Sequence, residues 1–236
     1  MTAFKTLFGM DSSQIKKNCI LLPLLSKGVL NFFKIRRFSE GKLFGAGNAN
    51  HFTLIYSGMG PALTGDAVLY LKETVCENII LFGSCGLVAE KPGLSIGSLV
   101  CPSKCYSRES FTDLLLAKDK QPGVFYPAED LFKRFLSMSQ GQDIKEVVCS
   151  TISSLKLEEE MADSLMQQGI DVVDMECSAF FSAADFIGIK AAALFYVSDI
   201  INKQPFYSLD AQSKLKLLFA IKKSAAILHE FTNYEN

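Results

Sequence analysis

The sequence predicts a three-layer α/β/α sandwich around a mixed, mostly parallel twisted sheet, and three observations carry that prediction. Short, continuous apolar runs end in glycine or small polar residues, as strands buried on both faces do. Stretches with helical spacing of apolar side chains alternate with those runs. The chain has 236 residues, 49% hydrophobic and 21% charged, a composition that supports a full globular core.

In chain order, the first run is Cys19-Ile20-Leu21-Leu22, followed by Pro23. Phe52-Thr53-Leu54-Ile55-Tyr56 then leads into Ser57-Gly58-Met59-Gly60, and Ala62–Lys72 follows with apolar side chains at 63, 67, 68, 70 and 71. Ile79-Ile80-Leu81-Phe82 leads into Gly83-Ser84-Cys85-Gly86. Helices are expected over Ala128–Met138, after Pro127, and over Leu155–Gln168. The acids Glu158-Glu159-Glu160 suit the N-terminal turn of the second. Cys177–Ile187 reads as a small-residue helix, and Ala192-Ala193-Leu194-Phe195-Tyr196-Val197 as a strand running into Ser198-Asp199. Gln212–Phe231 closes the set with an amphipathic face. No repeat or linker divides the chain, so residues 19–236 read as one domain behind an N-terminal extension, residues 1–18; the last few residues read as a further extension.

Composition narrows the function classes. Lys and Arg total 24 against 25 Asp and Glu, and a net charge of −1 gives no field to hold nucleic acid or an anionic membrane. The longest apolar runs fall far short of the ~20 residues of a membrane span, and the N-terminus reads as lacking a signal peptide. The seven cysteines are odd in number and sit in or beside apolar segments, which favours free thiols in a reducing cytoplasm over disulfides. A zinc site is not expected, since only Cys101 and Cys105 are close in sequence and His51 and His229 lie far from them. Lys34, Arg36 and Arg37 read as a solvated helix end.

Ligands of open α/β sheets gather beyond the carboxyl ends of the strands. Three such ends here carry small or polar residues: Ser57-Gly58-Met59-Gly60, Gly83-Ser84-Cys85-Gly86 and Ser198-Asp199. Asp199 directly follows an apolar strand, so partial burial should raise its pKa and let it hold a proton, unless it caps the following turn. Glu176 stands between Val172-Val173-Asp174-Met175 and a small-residue helix, where it meets either that helix's own N–H groups or a ligand.

These segments, in this order and spacing, resemble the purine nucleoside phosphorylase and uridine phosphorylase family, which includes the methylthioadenosine/S-adenosylhomocysteine nucleosidases. The resemblance spans roughly residues 19–230 and rests chiefly on Val173-Asp174-Met175-Glu176 and Val197-Ser198-Asp199. It implies a nucleoside phosphorylase-like fold and a purine nucleoside substrate, with no metal or organic cofactor. It also implies a homodimer. By that resemblance Glu176 accepts hydrogen bonds from the ribose hydroxyls, with Met175 packed on the sugar. Asp199, supported by Ser198, protonates the purine N7 as the glycosidic bond breaks. Ser84 and Gly86 line the pocket near base and sugar, Leu209 falls near an aromatic lid position with the aromatic Phe206 and Tyr207 beside it, and the stretch 149–155 falls where the purine edge is read.

The nucleophile is less clearly marked. The phosphorylase arginine corresponds to Leu81, and no arginine occurs after the first strand until Arg36, so phosphate is disfavoured as co-substrate. The nucleosidase glutamate that orients water falls near Gly28, and a supporting arginine falls at Phe195; Glu40 and Glu109 are conceivable substitutes. The expected activity is therefore hydrolysis of the adenine–ribose bond of methylthioadenosine and S-adenosylhomocysteine, with aminofutalosine, a menaquinone precursor, as a further candidate. A degenerate nucleoside-binding protein and a phosphate-dependent phosphorylase are the alternatives.

Overall fold

A computed structural model describes residues 2–116, 123–138 and 143–233. Met1 and residues 234–236, read above as parts of the terminal extensions, lie outside the described residues. The strands are β1 (Asn18–Leu22), β2 (Ser39–Glu40), β3 (Gly45–Asn48), β4 (Thr53–Tyr56), β5 (Asn78–Leu87), β6 (Leu99–Arg108), β7 (Val124–Phe125), β8 (Ile144–Ile152), β9 (Val172–Asp174) and β10 (Lys190–Ile200). The helices are α1 (Ala3–Phe8), α2 (Lys27–Phe32), α3 (Pro61–Tyr70), α4 (Ser110–Leu116), α5 (Glu129–Met138), α6 (Leu155–Gln167), α7 (Cys177–Ile187) and α8 (Ala211–Asn233).

One mixed sheet runs in the order β10-β6-β8-β9-β5-β1-β4-β3-β2, with β7 on β6. β4, β1, β5 and β10 are mutually parallel neighbours, and β5 also pairs β10, which closes the strands β5, β9, β8, β6 and β10 into a ring. The apolar runs form the parallel centre because both of their faces are covered. Alternate residues part cleanly: Cys19, Leu21, Ile79, Leu81, Ala193 and Phe195 pack with α3 and α7, whereas Ile20, Leu22, Ile80, Phe82 and Leu194 pack with α5 and α8.

Two features differ from the sequence reading. β6 and β8 are long strands that apolar runs did not reveal, because Pro102, Lys104, Lys145 and Glu146 interrupt them. Residues 2–18 are also not detached from the domain. Phe4 and Phe8 stack with ring centroids 4.3 Å apart and are fully buried in the same core as β1 and α3. Burial of each such ring stabilises by about 2–3 kcal/mol.

Candidate active site

Glu176, Asp199, Met175, Ser84, Gly86, Ser198 and Phe206 all line one cavity of about 410 Å³. It opens beyond the carboxyl ends of β1, β5 and β10, where a parallel sheet exposes its loops and glycines to a ligand.

Asp199 reaches the cavity through a β-bulge. Val197 pairs with Cys85 and Asp199 with Gly86, leaving Ser198 as the extra residue of β10. Side chains alternate along a strand, so without the bulge Asp199 would share the core-facing side of Val197; the inserted residue turns it over. A Cβ at Gly86 would stand 3.4 Å from Asp199 Oδ2. The Asp199 carboxyl accepts a hydrogen bond from Ser198 Oγ, which also lies 3.1 Å from the Cys85 carbonyl oxygen. Burial raises the pKa of Asp199 above the usual carboxylate range, against the opposing effect of the Ser198 hydroxyl. Among the described residues no backbone N–H is capped by Asp199, so the turn-capping alternative is not realised.

Glu176 precedes α7, and the geometry separates the two roles left open for it. Asp174 takes the helix-capping role: its Oδ2 accepts from the backbone N–H of Glu176 at 2.9 Å and of Cys177 at 2.6 Å. Its Oδ1 accepts from Thr151 Oγ1 at 2.7 Å. Glu176 is thereby free to extend across to α3, where its Oε1 accepts from the Gly60 N–H at 2.7 Å. Gly60 has φ +104, a left-handed conformation that glycine adopts freely, and Pro61 then starts α3 with the fixed φ a first helical residue needs. Glu176 is 7% exposed, and burial lifts its pKa to about 7 although the Gly60 and Met175 backbone bonds pull the other way.

A further carboxyl, Glu158, lines the same cavity. It belongs to the acidic run read above as suiting a helix N-terminal turn, but only Glu159 and Glu160 of that run pair with Lys156. Glu158 is 8% exposed, and burial, the charge of Asp199 and the charge of Glu159 raise its pKa to about 7. No sequence signal sets it apart from its neighbours in the run. Of the stretch 149–155, Leu155 lines the cavity; Tyr196, Ser26 and Leu24 also line it without having been singled out. Among the described residues, the lining includes no Lys, Arg or His.

The substitutes considered for a water-activating group lie elsewhere. Glu40 is exposed on the edge strand β2. Glu109 is buried but saturated, accepting from Phe111 N at 2.6 Å, Thr112 N at 3.2 Å, Ser178 Oγ at 3.0 Å and Thr112 Oγ1. It ties α4 to α7. Gly28 lies in α2, two residues beyond the N-cap Ser26 whose neighbour Leu25 faces the cavity, and Phe195 is buried in the core. Phe206, 47% exposed, stands at the mouth, and Leu209 is buried behind it.

All seven cysteines are free and buried. Cys101 and Cys105, close in sequence, sit in different core clusters. The cysteines that meet are instead Cys105, Cys149 and Cys177, whose sulfurs lie within 4.8 Å of one another and could by geometry hold a soft ion. Burial pushes the Cys149 and Cys177 thiols up, so protein packing favours their protonated form.

Fold and cleft together define an enzyme class that works on small nucleosides, and the chain belongs to the Phosphorylase superfamily, which it matches over residues 16–232. A DeoD-type purine nucleoside phosphorylase of Buchnera aphidicola is 28% identical over 170 residues, covering 69% of this chain and 70% of that protein. Uridine phosphorylase of Vibrio fischeri ES114 superposes with a TM-score of 0.74 at 18% identity, over 94% of each chain. The 5′-methylthioadenosine/S-adenosylhomocysteine nucleosidase of Campylobacter jejuni gives a TM-score of 0.70 at 14% identity, over 92% of this chain and 98% of that one. The superfamily includes phosphorylases and nucleosidases built on this same mixed α/β fold. Among the described residues, no helix is long and apolar enough to cross a membrane.

Proposed function

We infer that this chain is a purine nucleosidase that hydrolyses the adenine–ribose bond of 5′-thio-substituted adenosines. Methylthioadenosine and S-adenosylhomocysteine are the first candidates, and aminofutalosine is the next. The observation that carries this reading is a cleft with acids at Glu158, Glu176 and Asp199 and, among the described residues, no cationic side chain in its lining. Desolvating a phosphate dianion among carboxyls, with no guanidinium or ammonium to pair it, is costly. The same acids favour a substrate that becomes cationic as it reacts. The apolar wall of Leu24, Leu25, Val29, Met59 and Phe206 suits a thioether substituent better than a charged one.

In this reading the ionised Glu176 grips the 2′- and 3′-hydroxyls and stabilises positive charge at the anomeric carbon. Met175 packs on the sugar, with Ser84 and Gly86 between sugar and base. Asp199, oriented by the Ser198 hydroxyl, gives its proton to N7 as the C1′–N9 bond breaks and its electron pair passes to the purine. Water adds to C1′, and the proton it loses replaces the one Asp199 gave, so nucleoside and water become purine and a free ribose that keeps its 5-substituent. The protein acts as a cytoplasmic homodimer without a cofactor; light scattering tests the assembly.

The 28%-identical phosphorylase relative favours a second reading, in which phosphate replaces water. One assay separates the two. Purine release from methylthioadenosine in phosphate-free buffer, with free sugar as co-product, supports hydrolysis. Release that requires phosphate and yields a sugar 1-phosphate overturns it, and tight binding with no release leaves only a binding protein.

A further inference from the structure

Glu158 has no part in the bond-breaking step, yet its surroundings call for a ligand. It sits in the first turn of α6, 8% exposed, with its side chain on the cavity wall. Among the described residues no hydrogen bond reaches its carboxyl group. A buried carboxyl with no partner is expensive, and a protein that keeps one in a cleft gains from what the cleft binds.

Its place within the cleft follows from its neighbours. The charges of Asp199 on β10 and Glu159 on its own helix act on it. Asn202, just past β10, donates from Nδ2 to the Glu159 carbonyl at 2.7 Å, which docks this turn of α6 against the end of the Asp199 strand. Glu158 therefore stands toward the Asp199 end of the cavity. On a purine whose N7 faces Asp199, the next hydrogen-bonding group along the ring edge is the substituent at C6.

We propose that Glu158 reads that substituent, accepting a hydrogen bond from an exocyclic amino group and discriminating against a 6-oxo group. The proposal rests on the nucleoside reading of the cleft and deepens it. An ionised carboxylate only accepts, so it matches an N–H and opposes a carbonyl oxygen; once protonated it donates and tolerates the carbonyl. The Glu158 pKa of about 7 makes this a preference that strengthens as pH rises through that value. The ionisation of Glu176 affects both substrates alike and cancels in their ratio.

The test compares kcat/KM for methylthioadenosine with that for its 6-oxo counterpart, methylthioinosine, on both sides of pH 7. The amino/oxo ratio of the native protein should climb by about 10- to 100-fold as Glu158 ionises, the range set by a hydrogen bond to a charged group. Glu158→Gln should flatten and shrink the ratio, because an amide both donates and accepts. Glu158→Met should slow the amino substrate and spare the oxo one. Cleavage with a ratio that ignores pH in the native protein, or that Glu158→Gln leaves intact, overturns this proposal alone. If neither nucleoside is cleaved, calorimetry with adenine and hypoxanthine decides. Adenine preference lost in Glu158→Gln sustains the proposal, and failure of both bases to bind overturns it together with the nucleoside reading.

Discussion

Glu109 and Glu158 are equally hidden, at 7% and 8% exposure, and opposite in their surroundings. Glu109 accepts from two backbone N–H groups of α4 and from the hydroxyls of Thr112 and Ser178, so every direction its oxygens offer is used by the protein itself. Glu158 faces a cavity and has no partner among the described residues. Glu176 lies between them, tied to backbone N–H groups and yet lining the cleft. Burial of an acid therefore does not mark a functional group; burial with unfilled hydrogen-bonding capacity does. In this fold, one acid ties α4 to α7, and the others wait at the carboxyl end of the sheet.

Substitutions should separate the two regions, and the largest effect belongs to Asp199. Asp199→Asn removes the proton donor while preserving shape, and kcat/KM for purine release should fall by about 10²–10⁴-fold with little change in substrate affinity. An unchanged rate would break the comparison at once, since the bulge would then aim a group with no chemical task. Steady-state kinetics with separate binding measurements checks it.

Glu109→Gln should act on stability instead. With the Ser107 hydroxyl, 3.3 Å from Oε1, five donors converge on the native carboxylate, and the amide cannot satisfy them all, so unfolding should become easier by about 1–3 kcal/mol while kcat/KM well below Tm stays near native. Denaturant melts report it. A loss of activity without loss of stability would move Glu109 into the functional region.

The sign reverses for the cleft acids. Glu158 and Glu176 each have a pKa of about 7 in the folded chain, above the carboxylate value of an unfolded one, near 4.5. Between those values the folded state binds more protons than the unfolded, so the unliganded protein should lose stability as pH rises from the lower to the higher. Glu158→Met should then stabilise the protein at pH above 7, by about 1 kcal/mol once water reaching the open cleft is allowed for. Thermal melts against pH show whether the native slope flattens in this variant. Activity should run the other way. The kcat/KM of the native enzyme rises through about 7 as Glu176 ionises, and Glu176→Gln should remove that limb.

The legible and the hidden parts of this molecule follow from the same physics. Runs such as Ile79–Phe82 and Ala192–Val197 announce strands because both faces are buried, and Asp199 and Glu176 stand out as acids beside such runs. β6 and β8 were hidden because Lys104, Lys145 and Glu146 break their apolar pattern. The bulge at Ser198 has no local signature, although it decides which face Asp199 meets. Glu158 looks like any acid in the first turns of a helix until α6 is docked against the cleft. Cys105, Cys149 and Cys177 come from β6, β8 and α7, and only the closed ring of strands under α7 brings their sulfurs together.

The most direct test is a structure with an uncleavable adenine nucleoside in the cleft. The account predicts Glu176 within hydrogen-bonding distance of both ribose hydroxyls, Asp199 on N7 and Glu158 on the 6-amino group. A nucleoside bound outside this cavity, or seated in it with Asp199 turned away from the base, would contradict the account.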